Sequence, residues 1–261
     1  MATQAIATYS RLAVEFHPPA ARISLSHPPI NVIDLPMMEE LSQAIRDIES
    51  RTDISVLVLA GQGKAFSVGV DVGAHSADKV AIMLGKFHGV IRALIAAKKV
   101  TIAVVHGHCL GGGAELAMVC DLVYTTDSAH WGFPEIKLAC YPPVAATVLA
   151  ALVGQKQAAD LILTGRTISG TEAAAMGLAN QAVSEDQLVR TADETAGQLV
   201  KLSPAALALA KKAIYAWDSV HFDKGLARAE KIYLEELIKT QDAQEGIAAF
   251  LAKREPRWAG K

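Results

Sequence analysis

HGHCLGGGAELAMVCD occupies residues 106–121, and LVYTTDSAHWGFPE carries the chain on to residue 135. The apolar run TIAVV (residues 101–105) reads as a strand that feeds a turn at Gly111, Gly112 and Gly113. A helix follows and carries Glu115, and a short strand and turn later comes Glu135. Glycine lets backbone N–H groups approach a neighbour closely, and the free N–H groups at a helix start attract developing negative charge. Two carboxylates beside such donors suit acid–base work on an activated carbonyl compound. Spacing alone leaves another reading open, in which each glutamate sits on an exposed helix face. Apolar neighbours tip Glu115 toward burial, and its place near a helix start predicts that the positive helix end holds it ionised. Three successive glycines cost backbone entropy. They predict close approach, either by a neighbouring helix or by a bound acyl group. No Lys-Ser or Lys-Thr follows them and dinucleotide spacing is absent, so the run is not a phosphate loop.

The rest of the chain narrows the partners. It has 261 residues, 51% hydrophobic and 20% charged, with a net charge of -2. No basic block stands out, which argues against nucleic acid as a partner. No uncharged run reaches membrane-spanning length and the first residues lack a signal-peptide pattern, so a cytoplasmic, membrane-free protein is expected. Cys109, Cys120 and Cys140 are odd in number and lack metal-ligand spacing, which predicts reduced, packed thiols. Cys109 and Cys140 flank the suspected site. His106, His108 and His130 have no H-E-x-x-H arrangement and read as structural hydrogen-bonding groups, so no metal is expected. Asp71 reads as a turn cap. Trp131 and Phe133 form either an apolar wall behind Glu135 or part of the core.

Periodicity predicts an α/β chain. Residues 12–16 and 22–25 read as paired strands with Pro18 and Pro19 in the turn. Residues 36–49 and 80–95 read as helices. Residues 55–60 and 100–105 read as strands buried on both faces of a parallel sheet. A helix over 113–120 and a strand over 121–125 follow. Beyond Pro143 the pattern is mainly helical, with segments at 145–153, 155–163, 169–176, 186–201, 204–217, 225–239 and 242–252. Alternating strands and helices imply crossover connections.

AFSVGVDV (65–72), GHCLGGGAELAMVCD (107–121), FPEI (133–136), LTGRTISGTEAAAMGLAN (163–180) and EGIAAFLAKR (245–254) together resemble the crotonase superfamily, the enoyl-CoA hydratases and isomerases. The likeness runs over nearly the whole chain. It implies a spiral of β-β-α units over residues 1–200 and a helical region over 201–261 that contributes to the CoA site and forms trimers, two of which commonly stack as a hexamer. It implies an acyl-CoA thioester substrate whose carbonyl oxygen takes the backbone N–H groups of Val70 and Gly112. Ala65, Val68, Val70 and Val72 then belong to the CoA-binding segment, and Lys253, from this or a neighbouring subunit, meets the CoA phosphates. Glu115 and Glu135 act on water and on the substrate carbon, with no metal or redox cofactor, since coenzyme A is part of the substrate.

One segment departs from that pattern. Common hydratases carry a glycine-rich turn after the second glutamate, whereas this chain has ACYPPVAAT at residues 139–147. Pro142 and Pro143 stiffen the turn, and Val144, Ala145 and Ala146 stand in place of glycines. The PPVA run resembles hydratases of cyclic dienoyl-CoA thioesters in anaerobic aromatic degradation, which convert cyclohexa-1,5-diene-1-carbonyl-CoA to 6-hydroxycyclohex-1-ene-1-carbonyl-CoA. A general short-chain 2-enoyl-CoA hydratase, an enoyl-CoA isomerase and a non-catalytic acyl-CoA-binding protein are the alternatives.

Overall fold

In the computed structural model, residues 9–215 and 218–260 are described. Strands β1 (Leu12–His17) and β2 (Ala20–Leu25) pair antiparallel across the Pro18–Pro19 turn. Helix α1 (Leu35–Ser50) starts where Asp34 accepts the Met37 N–H at 2.9 Å, and it buries Met37, Met38, Leu41, Ile45 and Ile48 at helical spacing.

The next segments repeat one pattern. Strand β3 (Val56–Gly61) is followed by β4 (Ala65–Ser67) and helix α2 (Val80–Ala96). Strand β5 (Val100–Val105) is followed by β6 (His108–Leu110) and α3 (Gly112–Met118). Strand β7 (Leu122–Thr126) is followed by β8 (His130–Gly132), a 3₁₀ turn (Pro134–Leu138) and α4 (Pro143–Val153). Helices α5 (Gln155–Thr164), α6 (Gly170–Ala175) and α7 (Glu185–Leu199) alternate with β9 (Thr167–Ser169) and β10 (Gln181–Val183). Helices α8 (Pro204–Tyr215), α9 (Asp218–Glu235) and α10 (Gln241–Leu251) complete the chain.

In each repeat the first strand joins one sheet and the second joins another. The larger sheet runs β1-β2-β3-β5-β7-β10 and the smaller β4-β6-β8-β9. This is the expected α/β spiral of β-β-α units. From β2 to β10 the larger sheet is parallel. Its central strands are covered on both sides. Leu57, Leu59, Ala103 and Val105 face the main core, while Val56, Val58, Ile102 and Val104 pack with Leu188, Ala192 and Ala196 of α7. The strands of the smaller sheet have only three residues each. That is too short for an alternation signal, and the sequence reading contained none of them. The predicted break at Gly154 and the Ser169 cap are both present, with Ser169 Oγ accepting from the Glu172 N–H at 3.1 Å. Among the described residues, no helix is long and apolar enough to cross a membrane.

Asn31 locks the first repeat to the second. It is fully buried, its Nδ2 donates to the carbonyls of Gln62, Ala65 and Phe66 at 2.8–3.2 Å, and its Oδ1 accepts from the His27 N–H at 2.9 Å. Its own carbonyl accepts from Ser67 Oγ at 2.7 Å, and that hydroxyl accepts from the Gly69 N–H at 3.1 Å. Asn31→Ala strips four hydrogen bonds, two of them fully buried, from the backbone and also places alanine at φ 55°. Chemical denaturation is expected to register a loss of about 3 kcal/mol or more.

Candidate active site

Two backbone segments meet at the mouth of α3. Ile33 donates to the Gly69 carbonyl at 2.9 Å, and Asp71 donates to the Ile33 carbonyl at 3.1 Å. This parallel bridge uses the groups on either side of Val70 and leaves the Val70 N–H turned away from it. Gly69 has φ 101°, and a Cβ there would stand 2.9 Å from the Leu110 carbonyl and 3.2 Å from the Gly112 nitrogen. A Cβ on Gly112 would stand 3.4 Å from the Val70 nitrogen and only 2.7 Å from Val70 Cγ2. The two amides are therefore neighbours, and glycine permits that closeness. Among the described residues neither N–H has a backbone or side-chain acceptor. Both residues line a cavity of about 680 Å³.

The other two glycines have separate jobs. A Cβ on Gly111 would meet Glu135 Oε1 at 2.6 Å, and one on Gly113 would meet the Ser67 carbonyl at 2.7 Å. The glycine run thus serves protein contacts at all three positions, one of them with a candidate catalytic carboxyl group. It also leaves an amide open to the cavity.

Glu115 and Glu135 line the same cavity. Glu115 is buried, and its Oε1 accepts the Ala145 N–H at 2.9 Å. Pro143 opens α4, so the first-turn amides of that helix point outward for capture, and Glu115 takes one of them. Burial pushes the Glu115 carboxyl above the ordinary carboxylate range, with the Ala145 and Val144 amides opposing the rise. This runs against the expectation that the helix start favours the ionised form, because burial penalises the charge. Glu135 sits in the 3₁₀ turn behind Pro134 and is raised further, by burial first and then by the charge of Glu115. Its Oε2 is buried without a partner among the described residues. Two such groups cannot both ionise cheaply, so near neutrality the pair tends to keep one proton. A pair in that state holds a base and an acid together.

The remaining candidates divide between cavity and core. Val68, Val70 and Val72 line the cavity, and so do Cys140, Tyr141, Pro142 and Pro143. Ala65 is buried in β4 and does not border the cavity. Lys253 is exposed after α10 and also does not border it, whereas Lys137 and Arg254 do. Asp71 caps a turn as expected, accepting from the Gly73 N–H at 3.2 Å. Trp131 belongs to the core and donates to Thr125 Oγ1 at 3.0 Å, and Phe133 is core as well. His106 Nε2 meets the Gly63 carbonyl at 2.9 Å, and the His108 and His130 rings lie 5.1 Å apart. Among the described residues no three His, Cys, Asp or Glu side chains gather as metal ligands. The sequence reading missed Phe87, His88 and Tyr233, all of which line the cavity. They occupy ordinary inward positions of α2 and α9, and only the packing of the two helices singles them out.

A cavity with two adjacent free amides and a desolvated carboxyl pair has the layout of a site for acyl compounds that pass through an enolate-like state. The Enoyl-CoA hydratase/isomerase family profile matches residues 16–261. The chain belongs to that family, the crotonase family. It is 36% identical to "Probable enoyl-CoA hydratase" of Rhizobium meliloti (strain 1021), over 95% of this chain and 97% of the relative. It is 32% identical to "Cyclohexa-1,5-dienecarbonyl-CoA hydratase" of Thauera aromatica, over 92% of this chain and 93% of the relative. Among solved structures it resembles an enoyl-CoA hydratase/isomerase from Xanthobacter autotrophicus Py2, with TM-score 0.86 and 29% identity over 95% of this chain and 98% of the other.

Proposed function

We propose that this chain is an enoyl-CoA hydratase-type hydro-lyase that adds water to a conjugated, unsaturated CoA thioester. The observation that carries the reading is the pairing of buried Glu115 with half-buried Glu135, both raised, beside the free amides of Val70 and Gly112. In this mechanism Glu115 takes a proton from water and the oxygen bonds to the β carbon. The displaced electron pair moves to the thioester oxygen, where the two N–H groups stabilise it. Glu135 then gives a proton to the substrate carbon as the carbonyl reforms. No electron leaves the substrate, so the chemistry needs neither a redox cofactor nor a metal.

Cyclohexa-1,5-diene-1-carbonyl-CoA is the substrate we favour. The name of the Thauera relative and the PPVA segment support it, since the stiff Pro142 and Pro143 form part of the cavity wall. Attack at C2 is the route conjugated to the carbonyl. The resulting dienolate can take its proton at C5, across the ring, which yields the 6-hydroxycyclohex-1-ene thioester. The Rhizobium relative favours a second reading, a general short-chain 2-enoyl-CoA hydratase.

Parallel turnover of the cyclic diene thioester and crotonyl-CoA in ¹⁸O water distinguishes these readings. The expected outcome is faster conversion of the diene, with one labelled oxygen in its product. Comparable rates would favour the general hydratase. A product without solvent oxygen would favour an isomerase, and binding without turnover a passive acyl-CoA carrier. In the proposed reading residues 1–200 form the crotonase-like spiral core, and 201–261 form the assembly region of a trimer or hexamer and part of the CoA site. The exposed Leu209 and Ile214 of α8 support that division.

A further inference from the structure

The proposed reaction leaves two buried polar atoms of the cavity wall unused. His88 on α2 is fully buried, and its Nδ1 lies 2.6 Å from Glu230 Oε1 on α9. With a carboxylate as its neighbour, Nδ1 carries the proton and Nε2 presents a bare lone pair. Burial pushes the His88 pKa down, which keeps the ring neutral and Nε2 an acceptor. Tyr233 stands one turn along α9 from Glu230, is 1% exposed, and packs edge-on against Tyr141 at 5.3 Å. Its hydroxyl sits near Cys140 and Glu135, and burial holds it protonated, hence a donor.

Among the described residues neither His88 Nε2 nor Tyr233 Oη has a hydrogen-bond partner. A buried polar atom left so costs about 1–3 kcal/mol. The other unpartnered groups of this wall already have assignments: the two amides to the thioester oxygen, and Glu135 Oε2 to the proton transfers. What remains is one acceptor and one donor lining the same cavity. A hydroxyl group accepts one hydrogen bond and donates another, so it complements both. We propose that His88 and Tyr233 form a subsite for a hydroxyl group carried on the acyl part of the thioester, in addition to the hydroxyl that hydration introduces. The substrate class then extends from the parent cyclic diene to ring-hydroxylated cyclic dienoyl-CoA thioesters, an assignment that rests on the cyclic reading above. Glu230 is a positioning residue that fixes the His88 tautomer.

Stable six-membered-ring thioesters test this by calorimetric titration: benzoyl-CoA, 3-hydroxybenzoyl-CoA and 4-hydroxybenzoyl-CoA. At least one hydroxylated ring is expected to bind about tenfold more tightly than benzoyl-CoA. Tyr233→Phe is expected to bring that ratio to one, and His88→Gln supplies the same readout should the phenylalanine variant fold poorly. Equal affinity of all three rings for the unmodified protein overturns the subsite and leaves the cyclic reading standing. A preference that survives in both variants also overturns it. If no ring thioester binds while crotonyl-CoA is hydrated, the subsite and the cyclic reading fall together.

Discussion

Glu135→Gln and Glu115→Gln each lower kcat by about a thousandfold while CoA-thioester binding stays within a few-fold. The amide removes the exchangeable proton but preserves shape. In Glu115→Gln the side-chain oxygen still accepts the Ala145 N–H, so α4 keeps its anchor. The same variants should be more stable than the parent, and the sign depends on pH. Both carboxyls have folded-state values above the unfolded value of about 4.3. Below that value both states are protonated and no charge is buried. As pH rises toward the folded values, the unfolded chain loses its protons first and stability falls; above them the full cost of the buried charge applies. Glutamine removes the cost. A gain in Tm on the order of 5 °C is expected at pH 9, vanishing near pH 4. The unmodified enzyme should show a bell-shaped kcat/KM profile whose acidic limb lies above the ordinary carboxylate range. Stopped-flow turnover and melting across pH test both halves. Full activity in either glutamine variant would remove that carboxyl from the chemistry.

That reversal of sign marks where sequence reading ran out. Strand β5 was legible to the residue, because an apolar run bounded by polar residues admits few alternatives. The helix cap at Ser169 follows from side-chain chemistry and neighbours in the chain, whereas the Asp34 cap went unread. Burial of Glu115 could be anticipated from its neighbours, but its charge state could not. The helix dipole acts locally and can be read from position, whereas the desolvation that opposes it follows from tertiary burial. Backbone donors leave even less trace. The Ala145 amide that holds Glu115 belongs to an alanine, and nothing about an alanine announces a hydrogen bond. The Val70 amide emerges only through the resemblance to a family, since its freedom depends on a bridge to Ile33, thirty-seven residues upstream. His88 and Tyr233 were hidden for a related reason. Each looks like an ordinary helix-face residue until α2 and α9 are brought together.

Gly112→Ala lowers kcat by about a hundredfold or more, through one methyl group placed between the two amides. That methyl would stand 2.7 Å from Val70 Cγ2, closer than carbon atoms tolerate, and a tight 3.1 Å from Phe87 Cζ. Valine is stiff at χ1, so relief must come largely from movement of the Val70 backbone. Any such movement displaces the Val70 N–H, and the methyl also intrudes where the thioester oxygen would sit. Losing one aligned donor to an enolate-like oxygen costs about 10²–10³ in kcat. Two other glycines separate this from a general effect of packing. Gly113→Ala drives a methyl into the Ser67 backbone carbonyl at 2.7 Å, so its main readout should be lower stability. Gly85 lies within α2 and a Cβ there meets nothing within 4 Å, so Gly85→Ala should hold or slightly raise Tm and leave turnover alone. Steady-state kinetics and melting curves on the three variants decide the matter. Wild-type kcat in a well-folded Gly112→Ala protein would mean that the thioester oxygen does not lie between these amides, and the proposed mechanism would lose its electron sink.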